Sequence, residues 1–455
     1  MTAALLVFQA LVWLGVCLLF IRSRTASVFH PLTFYLAFHG LVFVVRPILE
    51  HLYNFQEMFY VMHFYPSEDL INFTLILTSV SLLVYAAVAG LAAPAVPRFE
   101  RALADGFSRR EWQAYFVVLA LLGPVALVSA ALSVRNTVAD AGAGVIEMIR
   151  DPITGVIGFA NTTGYLVTAQ GMIGALCLML IWGCRFRAWS FIPLVAYLAE
   201  RVYLGWERWA IVLTLASLML LALLRQARRW PRFRHLALAL PVLLIFQQLG
   251  ERRETFQAWF TGDTVAEDVL QQNRSWIERQ DTPDFANFDF LTFVVDVIPE
   301  KSGTYTYFTQ YLQLFTEPVP RVLWPGKPYG SPIELVNLND YGNFVGWTVS
   351  IVGDGWKSAG WVGVVIVLTA VGLITAYLHR SFWSGEASAF KVLAYCIFLP
   401  LTIQWYRDGG IVSVSKFVLW TIGPVLLWRA IAWLLPTGSA NARWRLDAHA
   451  IDERR

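Results

Sequence analysis

The chain has 455 residues, of which 57% are hydrophobic and only 15% charged, with 19 tryptophans and a formal net charge of +3; its mean hydropathy is +0.54. A water-soluble domain carries about a quarter charged residues, so this composition excludes an ordinary soluble fold and predicts an all-α, polytopic membrane protein. Its basic residues cluster between apolar runs, which excludes a nucleic-acid surface.

A helix needs about 20 apolar residues to cross a ~30 Å hydrocarbon core. The first such run, 3–21, is followed by Arg22 and Arg24. A signal peptide places its basic cluster before the apolar stretch, so a retained first span is expected. Further runs at 32–48, 71–93, 112–133, 163–183, 188–204, 209–225, 235–249, 359–378, 391–405 and 411–434 bring the expectation to about eleven transmembrane helices. Arg46 and Lys416 fall inside two of them, and intramembrane charge marks function unless a carboxylate neutralises it.

Placing the N-terminus outside gathers Arg22/Arg24, Arg98/Arg101/Arg109/Arg110, Arg185/Arg187, the run Arg225 to Arg234, Arg380/Lys391 and the tail on one side. That is the cytoplasmic signature. The opposite loop from His51 to Asp69 carries acidic residues and no Lys or Arg. The chain thus divides into spans 1–8 (1–249), a long, mostly helical outer segment (250–357), and spans 9–11 with a cytoplasmic tail (358–455). The outer segment holds 15 acidic and 8 basic residues, which long translocated domains tolerate. The four cysteines lie in or beside apolar runs without metal-type spacing, so neither a disulfide framework nor a zinc site is expected. No internal repeat of the kind found in inverted-repeat transporters is visible.

Chemistry-bearing residues concentrate in the outer segment. Arg252 and Arg253 stand where the eighth span leaves the bilayer, a place also suited to interfacial snorkelling. Arg274, Glu278 and Arg279 follow, Arg274 and Glu278 having the spacing of a solvated helical pair. Next comes Asp289. Prolines at 318, 320, 325 and 328 forbid a regular helix and predict a rigid loop holding Arg321 and Lys327, or else an aromatic clamp on the membrane surface. Asp354, between two glycines, stands at an expected helix entrance, where catalytic and capping roles weigh equally. Arg407 with Asp408 adds charge at the mouth of the last two spans. The sequence has no Walker loop, dinucleotide fingerprint, nucleophile elbow or His-Glu-x-x-His.

These residues carry a resemblance. Gly303-Thr-Tyr-Thr-Tyr307, Pro320-Arg321-x-Leu-Trp324-Pro-x-Lys327-Pro328 and Gly353-Asp354-Gly-Trp-x-x-x-Gly360-Trp-x-Gly363 resemble segments of the Wzy-type O-antigen, or oligosaccharide repeat-unit, polymerases. Gly205-Trp-Glu-Arg208-Trp is a weaker echo. The resemblance spans about residues 200–365; elsewhere only hydropathy agrees. It implies a GT-C-like glycosyltransferase of the bacterial inner membrane, active on its periplasmic face. Such an enzyme moves a glycan from undecaprenyl pyrophosphate onto the non-reducing end of another lipid-linked glycan, with membrane lipid and a chain-length regulator protein as further partners. A pyrophosphate leaving group needs a cationic clamp and the acceptor hydroxyl needs a carboxylate. Arg208, Arg252, Arg253, Arg274, Arg279, Arg321, Lys327 and Arg407 are the substrate-binding candidates; Asp289, Glu278 and Asp354 are the base candidates. The outer segment lacks an Asp-x-Asp pair or a histidine cluster, so metal-independent transfer without a cofactor is expected. The alternatives are an O-antigen ligase and a flippase or transporter of lipid-linked sugar. Ligases are expected to carry a histidine in the large outer loop, whereas all seven histidines here lie outside residues 250–357.

Overall fold

The computed structural model describes residues 1–96, 106–138, 148–150, 157–159, 168–204, 209–233, 277, 281–283, 285–319, 323–324, 326–327, 331–344, 347–385 and 388–436. Among them, seven helices are long and apolar enough to cross a membrane. They are α1 (Thr2–Arg22), α2 (Pro31–Tyr53), α4 (Glu68–Ala92), α5 (Arg109–Val138), α10 (Ser350–Trp383), α11 (Ala389–Asp408) and α12 (Ile411–Leu434). Between them come the short α3 (Glu57–Val61), α6 (Met172–Gly183), α7 (Ile192–Leu204), α8 (Trp209–Arg225) and α9 (Asn287–Asp296). The expected fifth, sixth and seventh spans are thus shorter helices; residues 188–191 of the sixth run form a 3-10 turn instead. The expected eighth span, 235–249, lies outside the described residues. One element departs from the helical expectation, a hairpin of β1 (Met148–Arg150) and β2 (Ile157–Phe159).

Local sequence sets the helix boundaries. Pro31 opens α2 behind His30, whose Nδ1 accepts the Leu32 amide. Ser67 caps α4 through the Leu70 amide with Glu68 and Asp69 in the first turn, and Ser388 caps α11 through Lys391. Without a strong apolar driving force between helices in lipid, close backbone approach and interhelical hydrogen bonds hold the bundle. Gly372 lets α10 lie against α4: a Cβ there would meet Val88 at 2.8 Å. Tyr85 stacks on Tyr35 at 4.0 Å and its hydroxyl lies 2.6 Å from that of Tyr406, joining α2, α4 and α11 in the core.

The two ends of the bundle differ in charge. At one end Arg225 donates to the Arg185 carbonyl, Arg229 to that of Arg24 and Arg110 to that of Trp433. Among the described residues, the arginine-bearing turns at 22–24, 106–110, 183–187 and 225–229 therefore share one end. The first turns of α1 and α4 meet the last turn of α2 at the opposite, acidic end. Here α9 is almost wholly buried, with Phe288, Asp289, Phe290, Leu291 and Phe293 at 1% exposure or less. Ten residues are too few to cross a bilayer. Instead α9 wedges against α2, α4 and α10, capped by Phe344 stacked on Phe293 and Trp347 on Phe290.

The entrance to α10 corrects the sequence reading. The helix starts at Ser350, nine residues before the expected span, and runs through the expected boundary at 357/358. Asp354 is therefore inside the helix and caps nothing, the N-cap position being Val349. Its helical geometry breaks at Ala359 and Gly360, where Gly360 has φ +58° and a Cβ would lie 2.9 Å from the Tyr305 hydroxyl.

Candidate functional site

Four charged groups converge on the acidic end, and α9 and α10 position two of them. In the first, Nη2 of Arg46 bonds both Asp281 and Asp289 at 2.6 Å, with all three side chains at 7% exposure or less. Asp281 also accepts the Glu57 amide at 2.9 Å, in the first turn of α3, and the Phe55 ring lies 5.0 Å from the guanidinium. Glu50, one helical turn beyond Arg46, brings a third carboxyl within hydrogen-bonding reach of Asp289. Burial pushes the Asp289 carboxyl upward and the Arg46 charge opposes it. The π-helical stretch Gly40–Val45 adds a residue to the α2 ladder immediately before Arg46, a distortion common at functional sites.

The second group centres on Asp354. Its Oδ2 accepts the Tyr311 hydroxyl at 2.5 Å; its Oδ1 accepts Gln310 Nε2 at 3.3 Å and lies 3.0 Å from Lys357 Nζ. Backbone bonds hold this arrangement: Thr306 N donates to Lys357 O at 2.8 Å and Tyr307 N to Ser358 O at 3.0 Å. The Gly303–Tyr307 and Gly353–Gly363 motifs, some fifty residues apart in the chain, are thereby one packed unit. Trp356 fastens it to the end of α9 through its indole N–H and the Ile298 carbonyl. Burial, then the neighbouring Asp354 carboxylate, raise the Tyr311 phenol, which stays protonated and donating.

In the third group Glu317 bonds Lys416 of α12 at 2.5 Å, while Lys327 Nζ lies 3.6 Å from the Glu317 carboxylate and bonds the Glu317 and Val319 carbonyls. Burial alone would raise the Glu317 carboxyl; the Lys416 bond and charge, with Lys327, outweigh it and hold it below the ordinary glutamate value. In the fourth, Arg407 bonds Asp408 at 3.3 Å and lies over the Trp209 ring, while its carbonyl accepts Asn287 Nδ2. Gln404 completes Asp408 at 2.6 Å.

Of the candidates from sequence, Asp289, Asp354, Lys327 and Arg407 thus stand in separate polar groups, each already held by protein partners. Arg208, Arg252, Arg253, Arg274, Glu278, Arg279 and Arg321 lie outside the described residues. Arg46 and Lys416 both meet carboxylates, the structural alternative to a free intramembrane charge. Sequence reasoning missed Asp281, Gln310, Tyr311 and Glu317 as partners. None has a local signature, although Glu317 directly precedes the proline loop. Among the described residues no group of three or more His, Cys, Asp or Glu is arranged to hold a metal ion. Comparison with known proteins finds no matching family model, no similar curated protein and no similar solved structure.

Proposed function

We propose that the chain is a metal-independent membrane glycosyltransferase that polymerises lipid-linked oligosaccharide repeat units. The donor glycan leaves undecaprenyl pyrophosphate and joins the non-reducing end of a second lipid-linked glycan, on the periplasmic face of a bacterial inner membrane. The observation that carries this reading is the union of the two aromatic and glycine-rich motifs around Asp354: a rigid, buried carboxylate at the acidic end of the helical bundle.

In the reaction the acceptor oxygen forms a bond to the anomeric carbon, the bond from that carbon to the pyrophosphate oxygen breaks, and the acceptor proton passes to a carboxylate. Tyr311 and Gln310 fix the Asp354 carboxylate so that it needs no reorientation when the proton arrives. Arg321, with Arg208, Arg252, Arg253, Arg274 and Arg279, supplies the guanidiniums whose forked geometry suits pyrophosphate. A chain-length regulator fits the reading as a partner. A ligase would need its histidine elsewhere than residues 250–357, which have none.

The test is elongation of purified lipid-linked repeat units by the purified full-length protein, scored as a ladder per folded molecule. Asp354→Asn is expected to lose on the order of 10²-fold or more in rate, and Tyr311→Phe less, because the carboxylate keeps Lys357 and Gln310. Unchanged elongation in Asp354→Asn would remove Asp354 from the chemistry. The absence of any ladder from wild-type protein would refute the polymerase reading itself.

A further inference from the structure

At the acidic end, the last turn of α2, the turn into α3 and the first turns of α1 and α4 surround a cavity of about 440 Å³, within the size range of small-ligand sites. Its polar wall is Glu50, His51, Asn54, Gln56 and Glu68; Phe55, Phe59, Tyr65 and Phe288 of α9 supply apolar surface, and no Lys or Arg lines it. The amide of Gln56 donates to Asn54 Oδ1 at 3.0 Å, which leaves the Asn54 N–H pair and the Gln56 oxygen directed at other partners. Behind this wall the Glu50 and Asp289 carboxyls lie within hydrogen-bonding reach of each other. Three carboxyls, Glu50, Asp281 and Asp289, thus share the single guanidinium of Arg46 directly behind the wall.

This lining selects by charge. A phosphate or pyrophosphate would face Glu50 and Glu68, against which the wall sets only the Met1 amino group and His51 and no guanidinium fork, so the two carboxyls oppose a multiply charged anion. An ammonium ligand is disfavoured in turn, because Arg46 already serves the acidic group and the Met1 amino group stands at the same wall. Acceptors and donors beside apolar aromatic surface match a molecule that carries both complements, namely a sugar ring with hydroxyls on its edge and C–H groups on its face.

We infer that this cavity binds an uncharged sugar residue through Glu50, Glu68, Asn54 and Gln56. Its role as the seat of the acceptor glycan rests on the polymerase reading, since the acceptor reacts at the end of the glycan remote from its phosphates. Donor pyrophosphate and acceptor sugar then occupy chemically distinct places, the first at the arginines of the outer segment and the second in this cavity. The helix α9, whose Phe288 floors the cavity, packs on α10 through Leu291 at Gly353.

The experiment is saturation-transfer NMR on full-length protein in zwitterionic nanodiscs, with methyl glycosides of hexoses and N-acetylhexosamines as probes and methyl phosphate and tetramethylammonium as controls. Transfer to ring protons of at least one glycoside at millimolar concentration is expected, with neither control ion binding. Gln56 and Glu68 are exposed, so the Gln56→Ala/Glu68→Gln protein should fold as the wild type, checked by its melting curve, and should lose at least about tenfold in affinity, equivalent to about 1.4 kcal/mol. Glu50→Gln is expected to weaken binding as well. Transfer from a control ion alone, no transfer from any glycoside, or equal glycoside binding by the double variant would each overturn the assignment. Because this measurement needs no turnover, glycoside binding without a ladder in the elongation assay would count against the polymerase reading and leave the cavity's ligand class standing.

Discussion

Removing the Arg46 guanidinium while leaving its partners tests the core of the acidic end. One nitrogen makes both 2.6 Å bonds, and the carboxylate side chains it serves are 7% and 1% exposed. Breaking one such buried pair from one side costs about 3–5 kcal/mol, mainly because a charge remains in a medium that solvates it poorly. Asp281 and Asp289 share the partner, so their losses do not simply add, and Glu50, within hydrogen-bonding reach of Asp289, offsets part of the loss there. Arg46→Met is therefore expected to destabilise the protein by about 3–5 kcal/mol, measured as earlier loss of native tryptophan fluorescence during heating in detergent. Adding Asp281→Asn and Asp289→Asn to Arg46→Met removes the stranded charges and should recover most of the loss. Arg46→Lys should fall between, since a single ammonium keeps the charge on a differently shaped stem. A wild-type melting curve for Arg46→Met, or a triple variant no more stable than the single one, would refute this account.

Gly360→Ala is expected to destabilise by at least 1 kcal/mol, an order-of-magnitude figure for a side chain forced to positive φ, and to displace Tyr305 from the new Cβ; a melting curve superimposable on wild type would contradict it. The depressed Glu317 carboxyl contributes stability above the ordinary glutamate value, lost as pH falls through its lower native value. Acidification should therefore expose the 313–319 segment to protease in the wild type, and Glu317→Gln should be cleaved readily at every pH. A wild-type cleavage rate flat across the acid range would defeat this expectation.

The parts of the fold legible in the sequence were those governed by the bilayer. Runs 3–21, 32–48 and 71–93 became α1, α2 and α4 because each is long enough to span and is closed by a cap or basic residues. Less legible was the shape of the polar end. The 287–296 run reads as a short apolar stretch in an outer loop; nothing in its periodicity reveals that three helices enclose it. Likewise Asp354 read equally as a cap or a catalytic group because it stands just before the expected span, and the helix in fact begins ahead of it; the glycines beside it serve close packing, since a Cβ on Gly355 would meet the Val364 backbone at 2.6 Å. The Arg46–Asp289 bond joins residues 243 positions apart, and no local pattern encodes such a pairing. Asp354 itself was recognisable as a candidate, but the tyrosine that holds it was not.

The break at Ala359–Gly360 also marks where this protein can be taken apart. The nine residues from Ser350 to Ser358 are fastened to the turns at 298 and 306–311 by Tyr311, Gln310, Trp356 and two backbone bonds, whereas from Trp361 onward α10 belongs to the helical bundle with α4. A chimera that exchanges the outer segment between related chains would, if cut by hydropathy near 357, separate that fastened helical turn from part of its fastening. Joined at Gly360 instead, the transplanted unit would carry all of it, and the junction would fall where the helix is already interrupted.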